Sequence, residues 1–444
     1  MSFPKYPAYK DSGVEWIGEI PAHWSLQRYK QVFAERDERS ETGEEMLLSV
    51  SAYTGIAPRG EIINDGDFLS RAQSLVGYKI CYPNDLVMNI MLAWNRGLGF
   101  SNYYGIVSPA YSVFKLLSGN FARFLDYLVR SDEVILYYKA FSSGVIDSRL
   151  RLYPNIFGSL YCALPPLPEQ QAIASFLDRE CAKIDALIAE QERLIALLAE
   201  KRQAVISHAV TKGLNPNAPM KDSGISWIGV VPEGWEVHPL KNVASVQTGI
   251  AKGKEVIEQK SVQMPYLRVA NVQDGYLDLS EISRINIDRD QVEKYLLRQG
   301  DVLMNEGGDF DKLGRGAIWY GEISPCIHQN HVFAVRPKSI MSEWVSAVIG
   351  SDYAKFYFMT RSKQSTNLAS ISSTNLMMLP IIVPSIDDQK TIVNFLESKK
   401  SQFENLMNSA NSIITLLKER RSALISAAVT GKIDVRAQSK AIAA

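Results

Sequence analysis

The peptide "KDSGVEWIGEIPAHW" at residues 10–24 returns as "KDSGISWIGVVPEGW" at residues 221–235, with nine of fifteen positions identical. Both tryptophans, both glycines and the proline recur, so the first question is whether the whole chain is duplicated. "DLVMN" at 85–89 answers "DVLMN" at 301–305 at an offset of 216, and Tyr111 faces His331 at 220. Ser131 and Asp132 match Ser351 and Asp352, and Asn155 matches Asn375, at the same 220. Gln170 matches Gln389, and "KRQAVISHAVT" at 201–211 matches "RRSALISAAVT" at 420–430 with seven identities in eleven, both at 219. The chain reads as two tandem copies of one unit.

Each copy runs from the W-I-G-x-x-P-x-x-W peptide through a mixed block to a long helical stretch. The block alternates β-rich runs such as "YKICYPNDLVMNIM" with amphipathic runs such as "NFARFLDYLVRSDEVILYYKAF", which predicts an α/β or α+β domain of unassigned strand order. In the helical stretch after "PPLP", apolar residues fall on heptad lines: Leu177, Ile184, Leu198 and Val205, then Leu187 and Leu194, then Ile188 and Ile195. The second copy repeats them as Leu396, Phe403, Leu417 and Leu424, then Leu406 and Ile413, then Met407 and Ile414. Pro168 suits a first turn, Ser385 to Asp388 reads as a capping box, and Gly213 and Gly431 read as stops. Gln191, Lys201, His208 and Arg420 interrupt the expected seam. Helix one leaves the first block and delivers the chain to the second, so its partner must return: the stripes predict an antiparallel pair under a pseudo-twofold axis.

Lys plus Arg and Asp plus Glu both number 48 over 444 residues. The balance holds regionally, 16 basic against 17 acidic over 1–168 and 17 against 18 over 214–386, so any nucleic-acid surface must be a local patch. No stretch carries the roughly eighteen consecutive apolar residues of a membrane span, which sets a cytoplasmic expectation with no membrane partner. Cys81, Cys162, Cys181 and Cys326 form no C-x-x-C and read as reduced thiols, not a metal site.

The two tryptophan peptides, "LPPLPEQQAIASFLD" at 164–178 and "LIALLAEKRQAVISHAVTKGL" at 194–214 together resemble the specificity subunit of type I restriction-modification systems. The likeness runs along essentially the full chain. It implies two similar target recognition domains, 1–168 and 214–386, separated by long spacer helices, 169–213 and 387–434, that pair as a coiled coil. Residues 435–444 are expected to be a mobile tail. The resemblance further implies that double-stranded DNA is read as an asymmetric split site and that two methyltransferase subunits and restriction subunits are partners. S-adenosylmethionine, ATP and magnesium would then belong to those partners, with no cofactor on this chain. A coiled-coil assembly adaptor that binds no DNA is the rival reading, and the neutral charge suits it.

The residues themselves offer little catalysis. "GIAKGKE" at 249–255 is one residue short of a P-loop and has no hydroxyl after the lysine. His328 and His331 make an H-x-x-H, but Tyr111 stands opposite His331 in the first copy, which favours an ordinary histidine. The candidate DNA-reading residues are basic and amide side chains in Gly- or Ser-rich stretches: Arg59, Asn95, Arg96, Arg149 and Arg151 in the first copy. In the second they are Lys252, Lys254, Lys312, Arg315, Lys363 and Gln364. Arginine suits guanine, amides suit adenine, and lysine mostly grips phosphate.

Overall fold

The computed structural model describes residues 3–52, 55–59, 74–146, 149–251, 260–308, 313–364 and 369–437. Lys252, Lys254 and Lys312 lie outside the described residues. The chain divides into two compact units, residues 1–191 with 412–444, and residues 192–411. Each unit therefore combines one mixed block with the opening half of its own long helix and the closing half of the other.

In the first unit, strands β1 (Phe33–Arg36), β2 (Leu86–Asn89), β3 (Leu98–Phe100) and β4 (Tyr111–Leu116) form one antiparallel sheet in the order β1-β4-β2-β3. In the second, β5 (Ala244–Thr248), β6 (Val302–Asn305), β7 (Gly316–Ile318) and β8 (Val332–Pro337) repeat it as β5-β8-β6-β7. The "DLVMN" and "DVLMN" runs are the strands β2 and β6, flanked on both sides, which is why they are apolar throughout and lack alternation. Their leading aspartates are buried and tied: Asp85 accepts the Tyr82 N–H and pairs with Arg36, while Asp301 accepts the Arg298 N–H and pairs with Arg336 at 2.7 Å.

The amphipathic run after β4 is two helices, α1 (Ala122–Val129) and α2 (Asp132–Ala140), broken at buried Ser131, whose hydroxyl donates to the Leu128 carbonyl. Ser351 makes the same break, with the same bond to Val348, between α4 (Ser342–Ile349) and α5 (Asp352–Arg361). The helices gather beside the antiparallel sheet, so each block is α+β. Aromatic rings fill the first core, with Tyr29 stacked on Phe157 at 4.5 Å; in the second, Trp235 meets Trp344 edge-on.

The long helices are α3 (Leu167–Lys212) and α6 (Ile386–Val429). Ser385 caps the second, its Oγ accepting the Asp388 N–H and donating to the Asp388 carboxylate. Buried glutamines anchor both starts: Gln170 accepts the Phe121 N–H and donates to Pro165 O, and Gln389 accepts the Met341 N–H and donates to Pro384 O. Inside the first unit the two helices run antiparallel. Arg421 pairs with Asp185 at 2.9 Å, and Ala428 shares a core with Leu177, so one sequence rises as the other falls. In the second unit Ala209 and Val210 share a core with Ile392 and Val393, again with opposite directions.

The seam is narrower than the three heptad lines suggest. Leu177, Cys181, Ile184, Ile188, Gln191, Ile195, Leu198, Arg202, Val205 and Ala209 are all buried or half-buried, as are Leu396, Lys400, Phe403, Met407, Ala410, Ile414, Leu417, Arg421, Leu424 and Ala428 at an offset of 219. The spacing alternates three and four, the pattern of a two-helix seam. Leu187, Leu194, Leu406 and Ile413 do not belong to it: they are 52%, 41%, 52% and 43% exposed. The reason is angular. At about 100° per residue, Ile188 sits about 40° to one side of Ile184, whereas Leu187 sits about 60° to the other. Together with exposed Leu197 and Leu416 these four form an apolar stripe beside the seam on each helix. Lys201, His208 and Arg420 are likewise exposed flank positions, so Gln191 alone among the expected interruptions lies on the seam.

The duplicated peptide receives the helix ends. It forms a hairpin, Tyr9–Asp11 with Glu19–Pro21 and Met220–Asp222 with Val230–Pro232. Gly213 ends α3 with φ +72, and a Cβ there would lie 3.2 Å from the Trp235 ring. Gly431 follows α6 with φ +76, where a Cβ would meet Pro21 Cδ at 2.5 Å and Trp24 at 3.2 Å. Only glycine combines the left-handed turn with that close approach. The expected mobile tail needs correction at its start. Val435 is buried, the Asp434 N–H donates to Pro4 O at 2.8 Å, and Arg436 lies over the Tyr6 ring, while 438–444 fall outside the described residues.

Replacing Gly431 with Ala is expected to lower the stability of the first unit by about 1–3 kcal/mol, from the left-handed strain and the displaced proline ring. Urea unfolding of the full chain beside Gly308→Ala, where a Cβ meets open space, checks it; equal stability of the two variants would contradict the seating.

Candidate nucleic-acid interface

The strand β2 ends at Asn89, buried, with its Oδ1 accepting the Met91 N–H at 3.0 Å. The chain then turns through 91–97, placing Asn95 in solvent and Arg96 in the left-handed region at φ 59. Arg96 Nε donates to the Arg130 carbonyl, and its guanidinium pairs with Asp132. A second hairpin approaches the same place: Ser143 bridges Arg151, and the Leu152 N–H donates to the Ile90 carbonyl at 2.9 Å. It carries exposed Arg149 and half-buried Arg151. Arg59 sits beside Tyr111, which lies opposite Asn89 in the sheet; burial raises the Tyr111 hydroxyl pKa, and the Arg59 charge partly offsets this. All five candidates of the first copy thus lie around one end of one sheet.

The second unit repeats the convergence with different side chains. Past Asn305, the segment Gly307–Gly308 pairs with Ala369–Ser370, which pairs in turn with exposed Lys363–Gln364. The Ile371 N–H donates to Glu306 O, the counterpart of the Leu152 bond. Arg315 is half-buried, its carbonyl accepting the Asn305 N–H and its guanidinium reaching Gln273 at 3.5 Å. Ile250 N–H donates to His328 O and Asn330 N–H to Ile250 O, which ties Ile250 to the 328–330 segment.

Several rim residues were not singled out from the sequence. Lys139 lies 5.2 Å from the centre of the Trp94 ring. His331 Nδ1 stands 2.6 Å from Glu306 Oε2, and its Nε2 stands 3.2 Å from Asn330 Nδ2. The register of His331 opposite Tyr111 was the available signal. The H-x-x-H itself dissolves: His331 is exposed on the rim, whereas His328 is buried with Nδ1 2.7 Å from Val332 O. All four cysteines are buried and free, and burial pushes the Cys81 thiol up to about 11 and the Cys326 thiol to about 12.

The similarities of the chain point one way. Residues 232–414 match the family model for the type I restriction modification DNA specificity domain. The EcoKI specificity subunit of Escherichia coli K12 is 22% identical over 76% of this chain and 69% of its own length. The MjaVIII specificity subunit of Methanocaldococcus jannaschii is 26% identical over 78% of this chain and 80% of its own. The curated relatives that the chain resembles are type I restriction enzyme specificity subunits. Across the relatives matched, the alignments span from 46% to 88% of the relative's length. The fold agrees: the HsdS subunit from Thermoanaerobacter tengcongensis superposes with a TM-score of 0.51 over 93% of this chain at 17% identity. A chain solved in work on complex assembly and conformational transition of the type I R-M system gives 0.62 over 92%, also at 17% identity. Among the described residues, no helix is long and apolar enough to cross a membrane.

Burial holds the His328 pKa down to about 4, with the Val332 carbonyl partly offsetting it, against 6.5 for a free imidazole. The unfolded chain therefore takes up the proton first as pH falls. Stability from this site is full above about 6.5 and is lost as pH falls toward 4. The second unit is expected to lose about 2 kcal/mol between pH 7 and pH 5 from this group. Urea unfolding at both pH values checks it, since His328→Leu should be flatter across that range.

Proposed function

We propose that this subunit supplies the DNA sequence preference of a type I restriction-modification complex, each unit reading one half of an asymmetric split site. The observation that carries this is the convergence just described. In both units the exposed polar and basic residues gather at the same end of the same four-stranded sheet, on frames that match position for position, while the side chains offered differ. Two equal frames with different faces read two different half-sites. Amides and basic groups are the types that base edges and phosphates select. A formal charge of zero confines the attraction to those rims.

The seam helices act as the spacer between the half-sites, because a rigid helical length maps onto a fixed number of base pairs. Their exposed stripes, Leu187, Leu194 and Leu197 on α3 and Leu406, Ile413 and Leu416 on α6, offer matched apolar surfaces for two copies of a methyltransferase subunit. Restriction subunits complete the assembly. Methyl transfer, ATP hydrolysis and cleavage, with S-adenosylmethionine, ATP and magnesium, belong to those partners; this chain is non-catalytic and works in the cytoplasm. As an assembly adaptor it would use the same stripes but would not need the polar rims.

Mapping methylated positions in cells with and without this gene should reveal a split site that vanishes with the gene. The assembled complex should then bind that duplex with an affinity falling on the order of 10³-fold between 50 and 200 mM salt. Binding that is absent, or indifferent to salt, would leave the adaptor reading. Inserting one helical turn within 195–201 should lengthen the unread gap in the mapped site; an unchanged gap would remove the helices from that role.

A further inference from the structure

The helix seam of the second unit holds two cations that have no carboxylate partner among the described residues. In the first unit the equivalent seam is neutral. Burial raises the Cys181 thiol pKa and the nearby Arg421 charge partly offsets this, while Arg421 itself pairs with Asp185 at 2.9 Å. The repeat offset of 219 puts Lys400 at the place of Cys181, Glu404 at that of Asp185, and Arg202 at that of Arg421. Glu404 is exposed, and Arg202 and Lys400 make no ion pair and no hydrogen bond among the described residues, with Arg202 Nε buried. Two half-buried like charges repel each other and have lost part of their hydration, so an anion between them would stabilise both.

Arg202 and Lys400 line one cleft of about 650 Å³ that lies wholly within the second unit, walled by α3, α6, α4 and β7. Beside Arg202, Gln203 donates to the Gly350 carbonyl at 2.7 Å and accepts from Lys355 Nζ at 2.8 Å, which brings a third cation to this end. About one turn back along α6, Glu397 joins the wall. It lies near Tyr320 with Glu343 and Glu322: burial first, then these three carboxylates, raises the Tyr320 hydroxyl pKa. Tyr276 and Tyr320 also line the cleft and are 62% and 57% exposed.

A cleft of this size suits a small organic ligand, and its charges select the parts. Adjacent cations favour a dianion over a single carboxylate, and a phosphate ester carries about −1.5 to −2 at pH 7. Aromatic rings stack with a planar base, and carboxylates accept from amino and hydroxyl groups. We propose that this cleft is a nucleotide-binding site, with the phosphate held by Arg202, Lys400 and Lys355, the base against Tyr276 and Tyr320, and ribose or amino donors at Glu343 and Glu397. Binding there needs no DNA. A bound nucleotide touches both long helices and the block together, so occupancy stiffens their junction.

The test titrates the full chain, without DNA, with AMP, adenosine and inorganic pyrophosphate by calorimetry. Wild type should bind AMP about tenfold or more tightly than adenosine, the scale of a charge-assisted contact. Lys400→Met and Arg202→Met should each weaken AMP about ten- to hundredfold and leave adenosine unchanged. Tyr276→Ala should weaken AMP and adenosine but not pyrophosphate. Without ligand, Lys400→Met should unfold in urea at a midpoint equal to or above that of wild type, because a repelling charge has left the seam. A lower midpoint would make Lys400 a structural group and overturn the assignment. So would wild type that binds no AMP, or AMP affinity equal in wild type and Lys400→Met. Pyrophosphate bound as tightly as AMP, with AMP indifferent to Tyr276→Ala, overturns the nucleotide class.

Discussion

The structure depends on where two long helices are stopped. Each of α3 and α6 can bury its heptad seam only if its end is held, and each end is held by a glycine lodged under a tryptophan of the duplicated peptide. Gly213 sits against Trp235, which belongs to the peptide that follows it; Gly431 sits against Trp24, which belongs to the peptide at the other terminus. The repeated W-I-G-x-x-P-x-x-W is therefore a socket, written twice because there are two helix ends to seat. From these sockets the chain passes directly into the strands Ser25–Arg28 and Glu236–Pro239, which pair with the strands preceding each long helix. Socket, seam and block are thus tied in each unit.

Burial explains what the two copies share and what they do not. Asp85 and Asp301, Ser131 and Ser351, Gln170 and Gln389 are polar, buried and alike in their bonds. A buried polar group needs its partners, and loss of one strands the other, so such positions tolerate little change. Residues at the rim answer to no such demand. Gly97 stands where the other copy has Arg315, each carbonyl accepting the N–H of the asparagine that ends the central strand, and Ser143 stands where it has Lys363. A frame held constant by buried polar bonds can carry different rims without refolding, which is the property a reader of two unlike half-sites requires.

Much of this was legible in the sequence. Duplication, helix caps and stops, the antiparallel return of the second helix and the α+β character of the blocks all follow from local pattern and connectivity. The seam was legible only in outline. Line spacing by sevens does not say which neighbouring line completes the pair, and Leu187, Leu194, Leu406 and Ile413 lie on the flank where Ile188, Ile195, Met407 and Ile414 lie within. The tail was misread because a polar-rich terminus carries no sign that Val435 finds a pocket or that Asp434 bonds to Pro4.

The sequence by itself determined the repeat and the long helices, because these are written in periodicity and in residues adjacent along the chain. Only the tertiary structure decided that Arg59, Asn95 to Arg96 and Arg149 to Arg151 gather at one sheet end, and that Lys363 to Gln364 meets the segment after Asn305. Those gatherings rest on strand order and on hydrogen bonds between residues some 60 positions apart, such as Leu152 to Ile90 and Ile371 to Glu306. Pairing between distant segments leaves no local pattern, since either partner alone is an ordinary polar loop.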